Sequence, residues 1–352
     1  MTGKRFTAIL ISAFVTIGAF VGCGQNKQNT GQTSAETKTE ETSETGNLEV
    51  HIGDQPSFFL LKIADNLGYF EDEFAGTGVK IVVDNFVNQG PAVVEAMVAK
   101  DLDLGFIGAL PLVSADANND HFVAISTVNY SENGFKLFAG KETEIQKVED
   151  FKGKKLTVKF STNEHQMLLT LLEQAGLSTS DVEIVNMNAA EGLAALTAGD
   201  VDGAVLKGND VKAATDAGAV VVADNSTTGT ISNYLVGRQE FVENHPEVVT
   251  GVLKALEKTK QWIDENEDET IQKYADITGT DYDTAKVSFE SRERLITVDA
   301  DKFTDTIQQS LDFSKEQKLI DNEDLTVDDI VDTSYFTNAG ISESKEKNDR
   351  SI

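Results

Sequence analysis

Residues 48–70 read LEVHIGDQPSFFLLKIADNLGYF, and within them the period of a strand gives way to the period of a helix. LEVHIG alternates apolar and polar side chains, whereas Leu60, Ile63, Ala64 and Leu67 recur at i, i+3, i+4 and i+7, which puts them on one helical face. Pro56 stands between the two runs, where the first turn of a helix is expected. Proline suits that place because no N–H is needed there and its φ is preset.

The same grammar continues downstream. VKIVVDNF precedes a helix from Pro91 with Val94, Met97 and Val98; LDLGFIG precedes a helix after Pro111; FVAIST follows. After EIQKVEDFKGK the pattern restarts with LTVKF, a helix carrying Leu168, Leu171, Leu172 and Ala175, VEIVNM, a helix from about Ala190, VDGAVL, a helix from Asp210, and AVVVAD. Strand and helix in strict turn predict an α/β fold of two lobes, each a mainly parallel sheet with flanking helices. An internal match supports two units: Ala99-Lys100-Asp101-Leu102-Asp103 and Ala198-Gly199-Asp200-Val201-Asp202 each end a helix and open a strand.

The chain leaves the first unit after FVAIST and returns at Tyr234-Leu235-Val236-Gly237, so residues 48–133 and 234–340 are expected to form one lobe and 134–233 the other. Beyond 237 the pattern is of helices only, with Val249, Val252, Leu253, Leu256 and Ile263 on one face from Pro246 and Phe303, Ile307 and Leu311 on another. Polar caps open the helices of the second unit: Ser161, Thr162 and Asn163 before one, Asn188 with Glu191 three later, and Asn209 before Asp210. In open α/β sheets the ligand crevice lies at the carboxyl ends of strands, where such helix N-termini gather.

At the N-terminus, Lys4 and Arg5 precede an apolar run to Val21 and small residues before Cys23, the architecture of a signal peptide over residues 1–22. Residues 24–46 contain no aromatic, Leu, Ile or Val, and such a stretch cannot offset the entropy of ordering. Residues 23–47 therefore read as a flexible tether with a reach of roughly 25–30 Å. Residues 341–352 read as a frayed tail. The formal net charge of -29 repels phosphate backbones, which argues against a nucleic-acid partner. His51, His121, His165 and His245 show no metal-ligand spacing, and Cys23 is the only cysteine, so neither a metal, a cofactor nor a cysteine nucleophile is expected in the mature body.

Several blocks resemble the aliphatic sulfonate, taurine and nitrate family of transporter-linked binding proteins: Gly53 through Ala64 with Leu67-Gly68-Tyr69-Phe70, then Phe106-Ile107-Gly108-Ala109-Leu110-Pro111, Val148 through Lys155, and Phe241 through Val249. The similarity runs in the family's order over nearly all of residues 48–265. It implies a periplasmic-binding-protein-like fold of type II, a two-segment hinge, a small anionic ligand, no catalysis, a monomer, and the permease of an ABC importer as partner. Phe20-Val21-Gly22-Cys23 similarly resembles a bacterial lipobox, with Phe20 where Leu is usual and Val21 where Ala or Ser is usual; this implies lipidation of Cys23 and anchoring on the extracytoplasmic face of the cell membrane.

Carried over by position, the resemblance places ligand contacts at Gln55, Ser57, Gln89, Gly108, Ala109 and Leu110 in the first lobe and at Ser161, Thr162 and Asn163 in the second. After VDGAV the chain departs from its relatives, which often carry a Trp, an acidic residue and a proline there; this chain has Leu206-Lys207-Gly208-Asn209-Asp210. Lys207, with Asn209, is a candidate for a dianion contact, or else a solvated surface lysine. Phe58, Phe59 and Tyr130 are candidates to line a pocket for an aromatic or pyrimidine-like nutrient, or else core.

Overall fold

The computed structural model describes residues 47–341 apart from 57, 87, 88 and 119. The signal peptide, nearly all of the tether with Cys23, residues 342–352 and Ser57 lie outside the described residues.

The chain forms two sheets. The first is built from β1 (Leu48–Asp54), β2 (Val79–Asn85), β3 (Leu104–Gly108), β4 (Phe122–Ser131), β10 (Ile231–Arg238) and β11 (Glu293–Thr297), in the order β11-β4-β10-β3-β1-β2. The second contains β5 (Lys136–Ala139), β6 (Lys155–Val158), β7 (Glu183–Asn186), β8 (Gly203–Leu206) and β9 (Val220–Asp224), in the order β7-β6-β8-β5-β9. In the first sheet β1 pairs parallel with β2 and β3, while β10 runs antiparallel between β3 and β4 and β11 antiparallel to β4. In the second, β6 pairs parallel with β7 and β8, and β5 runs antiparallel between β8 and β9. Most strands of each sheet thus point the same way, as the alternating sequence requires.

Helices cover both sheets. α1 (Leu60–Asn66), α2 (Tyr69–Glu73), α3 (Gln89–Val98) and α4 (Ala109–Ala117) belong to the first unit, and α5 (Asn163–Gln174), α6 (Ala189–Ala198) and α7 (Asn209–Asp216) to the second. α8 (Gln239–Asn244), α9 (Pro246–Glu265), α10 (Glu267–Thr278), α11 (Tyr282–Glu290), α12 (Thr304–Glu316) and α13 (Ser334–Asn338) follow β10. The stripe Val249, Val252, Leu253, Leu256 and Ile263 of α9 is buried against α1 and one face of the first sheet. Phe303, Ile307 and Leu311 are buried on the opposite face with Val93, Met97 and Leu112. Each such side chain contributes about 1.5–3 kcal/mol by leaving water.

The internal match is a structural repeat. Lys100 and Gly199 both adopt left-handed backbone, at φ 64° and 79°. The following N–H groups close the same turn, Asp101 to Ala96 O and Asp200 to Ala195 O, each at 2.9 Å. Two residues on, the Asp103 and Asp202 carboxylates accept the N–H groups of His51 on β1 and Lys155 on β6, at 3.0 and 2.8 Å. Each aspartate therefore fastens the end of its helix to a strand of its own sheet, β1 in the first and β6 in the second.

Three local expectations are corrected. Pro56 precedes α1 by a full turn rather than opening it, because the buried run 58–61 lies partly ahead of the helix. The N-cap of α7 is Gly208, at φ 56°, and Asn209 is its first residue. The region beyond 237 is not helical throughout: ERLIT forms β11 on the free edge of β4, since five residues rich in β-branched and apolar side chains are too short for their period to separate strand from helix.

Candidate ligand-binding site

β1 ends in Asp54, whose wholly buried carboxylate pairs with the Lys62 ammonium of α1. Lys62 Nζ also donates to Gln55 O at 2.8 Å, so the buried cation ties down the turn between strand and helix. Burial pushes the Asp54 carboxyl up and Lys62 opposes the rise. Asp54 Oδ1 has no hydrogen-bond partner among the described residues.

The turn presents Pro56 O and Phe58. Tyr274 of α10 stacks on Phe59 with ring centroids 3.8 Å apart and donates its hydroxyl to Pro56 O at 2.5 Å. Burial pushes this phenol up to about 12. The Asn209 amide, from the other lobe, lies against the same hydroxyl.

Arg292, between α11 and β11, is the centre of the arrangement. It is 5% exposed, with its guanidinium carbon 5.0 Å from the centroid of Phe58 and 5.2 Å from that of Phe135. Nη1 and Nη2 have no hydrogen-bond partner among the described residues. Burial pushes the guanidinium down to about 10, with the Glu164 carboxylate and Tyr274 working against the shift. The neighbouring backbone is held firmly: Ser291 O accepts Ser131 Oγ at 2.7 Å, and a Cβ on Gly134 would lie 2.2 Å from that carbonyl oxygen. A buried, unpaired guanidinium is costly, and its planar fork of donors matches a bidentate oxyanion.

On the other side of the cleft, Glu164 in the first turn of α5 pairs with Lys207 at the end of β8. Lys207 Nζ lies 5.3 Å from the Phe135 centroid, and burial pushes its ammonium down against the pull of Glu164. Lys207 is therefore neither solvated nor free for a dianion.

The expected contacts divide in two. Lys207 and Asn209 come to the Arg292 cleft. Gln89 stands at the start of α3 in strained left-handed backbone, φ 66°, 5% exposed, with Oε1 unpartnered among the described residues. Gln55 turns away, its Nε2 donating to Phe106 O at 2.7 Å. The other expected group forms a separate contact. Asn163 Oδ1 accepts the Leu110 N–H at 3.2 Å, its Nδ2 donates to Ser232 O at 3.3 Å, and it packs on Gly108. Beside Ala109 and Asn163 lies a cavity of about 30 Å³, room for water but not for a sulfonate. Thr162 caps α5 locally, donating to Lys159 O at 2.7 Å and accepting from His165 N, and Ser161 is exposed at φ 57°.

Sequence reasoning missed Arg292, Tyr274, Glu164, Phe135 and the Asp54–Lys62 pair. One signal was available: the chain has five arginines among 30 basic residues, and two of them stand together at 292 and 294. The three aromatic candidates have partners on their faces: Arg292 on Phe58, Tyr274 on Phe59, and Lys302 Nζ at 4.5 Å from the Tyr130 centroid.

A model of the family described as NMT1/THI5 like matches residues 55–270. A protein of Bacillus subtilis (strain 168) named as an aliphatic sulfonates-binding protein is 28% identical over 296 residues, covering 83% of this chain and 88% of its own length. The taurine-binding periplasmic protein of Escherichia coli (strain K12) is 32% identical over 206 residues, 54% of this chain and 62% of that protein. Among solved structures, the alkanesulfonate-binding protein SsuA from Xanthomonas axonopodis pv. citri bound to MOPS has a TM-score of 0.74 at 21% identity, covering 81% of this chain and 98% of its own, and so shares the fold.

Proposed function

The chain belongs to the NMT1/THI5-like family, and from that premise we propose that it is the extracytoplasmic solute-binding component of an ABC importer, holding a small sulfonate-type anion between its lobes. Arg292 carries this reading: a buried guanidinium with two nitrogens unpartnered among the described residues, set between an aromatic ring from each side of the cleft. Micromolar affinity requires about 8 kcal/mol net. Charge-assisted hydrogen bonds at about 1.5–3 kcal/mol each, with apolar contact to the two rings, reach that range.

Fold alone does not separate a binder from a catalyst. Support for a binder comes from the relatives named for binding and from a site whose central cation suits holding an anion. Closure is proposed at the two crossings, after β4 and before β10. They are stapled by Asn225, whose Oδ1 accepts Phe135 N–H at 3.1 Å and whose Nδ2 donates to Ser131 O at 2.8 Å. A ligand favours the closed form only by its greater affinity for it. In this reading the permease recognises that closed form, the protein acts as a monomer, and lipid on Cys23 retains it at the membrane through the 23–47 tether.

Calorimetry with alkanesulfonates, taurine, nitrate and a pyrimidine precursor tests the proposal. The expected result is saturable binding of at least one sulfonate, lost in Arg292→Ala. Binding of the pyrimidine alone, or of no anion, would overturn it.

A further inference from the structure

We infer that the chain carries a second binding site, for an aliphatic diamine, at the end of the first sheet away from the cleft. It is independent of the anion reading of Arg292: β10 leaves the hinge at Ile231 and reaches Arg238 after a run of about 23 Å.

A cavity of about 440 Å³ opens at that end, within the range of small-molecule sites. It lies between the end of α3, the entry to β4, the end of β10 and α8. Met97 and Phe122, both buried, lie beneath it, and Val98, 50% exposed, stands on its wall. Apolar surface of this kind receives methylene groups. Lys100 closes the wall. It keeps a side chain in left-handed backbone where the second unit has Gly199, and its Nζ lies 2.6 Å from Glu240 Oε2 of α8.

The rim decides the charge of the occupant. Lys100 is paired with Glu240, and Arg238 Nη2 with Asp103 Oδ1 at 2.6 Å, so neither cation is free for an anion. Asp120, ahead of β4, and Glu243, on α8, line the same cavity and have no ion-pair partner among the described residues; Glu243 Oε1 accepts the Gln239 side-chain amide at 2.8 Å. Lys100 and Arg238 thus stand against four carboxylates, those of Asp103, Asp120, Glu240 and Glu243. An ion with an ammonium at each end and methylenes between matches two unneutralised carboxylates on separate elements and the apolar surface they share. A monoamine leaves one carboxylate unmatched.

The test is a titration of the mature chain, labelled with ¹³C-methyl methionine, with 1,4-diaminobutane and with n-butylamine, followed by NMR. Met97 reports on the cavity, whereas Met167 and Met187 belong to the second unit. The Met97 signal is expected to shift saturably with the diamine while the other two stay in place. The monoamine is expected to bind about two- to fivefold more weakly for want of one part-exposed ion pair. Asp120→Asn and Glu243→Gln should each weaken the diamine by a similar factor, and Glu265→Gln, which removes an exposed charge elsewhere, should leave it unchanged. Glu243 is exposed, so its variant serves if Asp120→Asn disturbs the buried Asp116 nearby. No shift at Met97, a shift at Met167 or Met187 instead, or equal affinities for the two amines overturns the diamine site. Binding at Met97 that survives both rim variants overturns the assignment of its ammonium groups. The chain's net charge of -29 draws cations in general, and equal weakening in Glu265→Gln and Glu243→Gln would reduce the effect to that charge and overturn the site as well.

Discussion

Asn163 and Gly108 meet at the junction of the two lobes so closely that a Cβ on Gly108 would lie 2.3 Å from Asn163 Nδ2. The same amide accepts the Leu110 N–H and donates to Ser232 O, joining α5, α4 and β10. Asn163→Ala leaves a buried N–H unsatisfied and is expected to cost about 1–3 kcal/mol in urea denaturation. Gly108→Ala forces the amide aside and is expected to cost a similar amount. Wild-type stability in both variants would remove the contact from the forces that join the lobes.

Arg292→Lys keeps a charge but loses the planar fork, and its ammonium is too compact to span two oxygens of one anion. Affinity for a bound sulfonate is expected to fall about ten- to a hundredfold in Arg292→Lys and further in Arg292→Ala. Equal affinities of wild type and Arg292→Lys would show that only the charge matters.

Asp116 supplies a pH signature away from the cleft. Its carboxylate accepts Phe122 N–H at 3.0 Å, and burial, with Asp120 and Asp329 nearby, pushes it up to about 7. An acid whose folded pKa lies above its ordinary value costs the fold stability above about pH 7, and the cost fades as pH falls toward 4. Asp116→Asn keeps an oxygen for Phe122 N–H and carries no charge. Relative to wild type it is expected to gain stability at pH 8, by up to about 4 kcal/mol, and to gain little near pH 4. An equal difference at both pH values would refute the linkage.

Lys100 occupies the left-handed position that Gly199 fills in the second unit. A side chain there costs about 1–2 kcal/mol, and glycine returns part of that through unfolded-chain entropy. Lys100→Gly is expected to raise stability by about 0.5–1 kcal/mol, although it removes an exposed pair with Glu240. A lowered melting temperature would mean that the ion pair outweighs the backbone.

For Cys23, Cys23→Ala is expected to release protein from the membrane fraction, measured by immunoblot of fractionated cells. Stable anchoring takes more than one acyl chain, so mass spectrometry of the wild-type N-terminal peptide should show several. Retention of the variant would argue against the lipid.

How far the sequence could be read follows from the range of each interaction. The β1–α1 unit, the α9 stripe and the 99–103 and 198–202 match are local periodicities, and all were legible. The capping box of Asn188 with Glu191 spans three residues and was legible too. β5 and β11 escaped because they are short and their partners are remote: β5 joins β8, and β11 joins β4 more than 150 residues earlier. The site failed for the same reason. Nothing near Lys207 reveals that Glu164 will neutralise it, and nothing near Arg292 reveals that Phe58 and Phe135 will enclose it. Helix N-termini could be located, but which of them a neighbouring side chain would cover, as Asn163 covers α4, depends on the docking of two units.

The repeat that ends in Asp103 and Asp202 also tells where the molecule's chemistry can change. Both copies supply the same scaffold element, a helix end, a left-handed turn and an aspartate that pins it to a strand of the sheet. Arg292 comes from outside either copy, on a segment with no counterpart in the duplicated pattern. Scaffold and selectivity are thus separate modules: one side chain just ahead of an appended strand can be exchanged to retune what is held without disturbing the jaws.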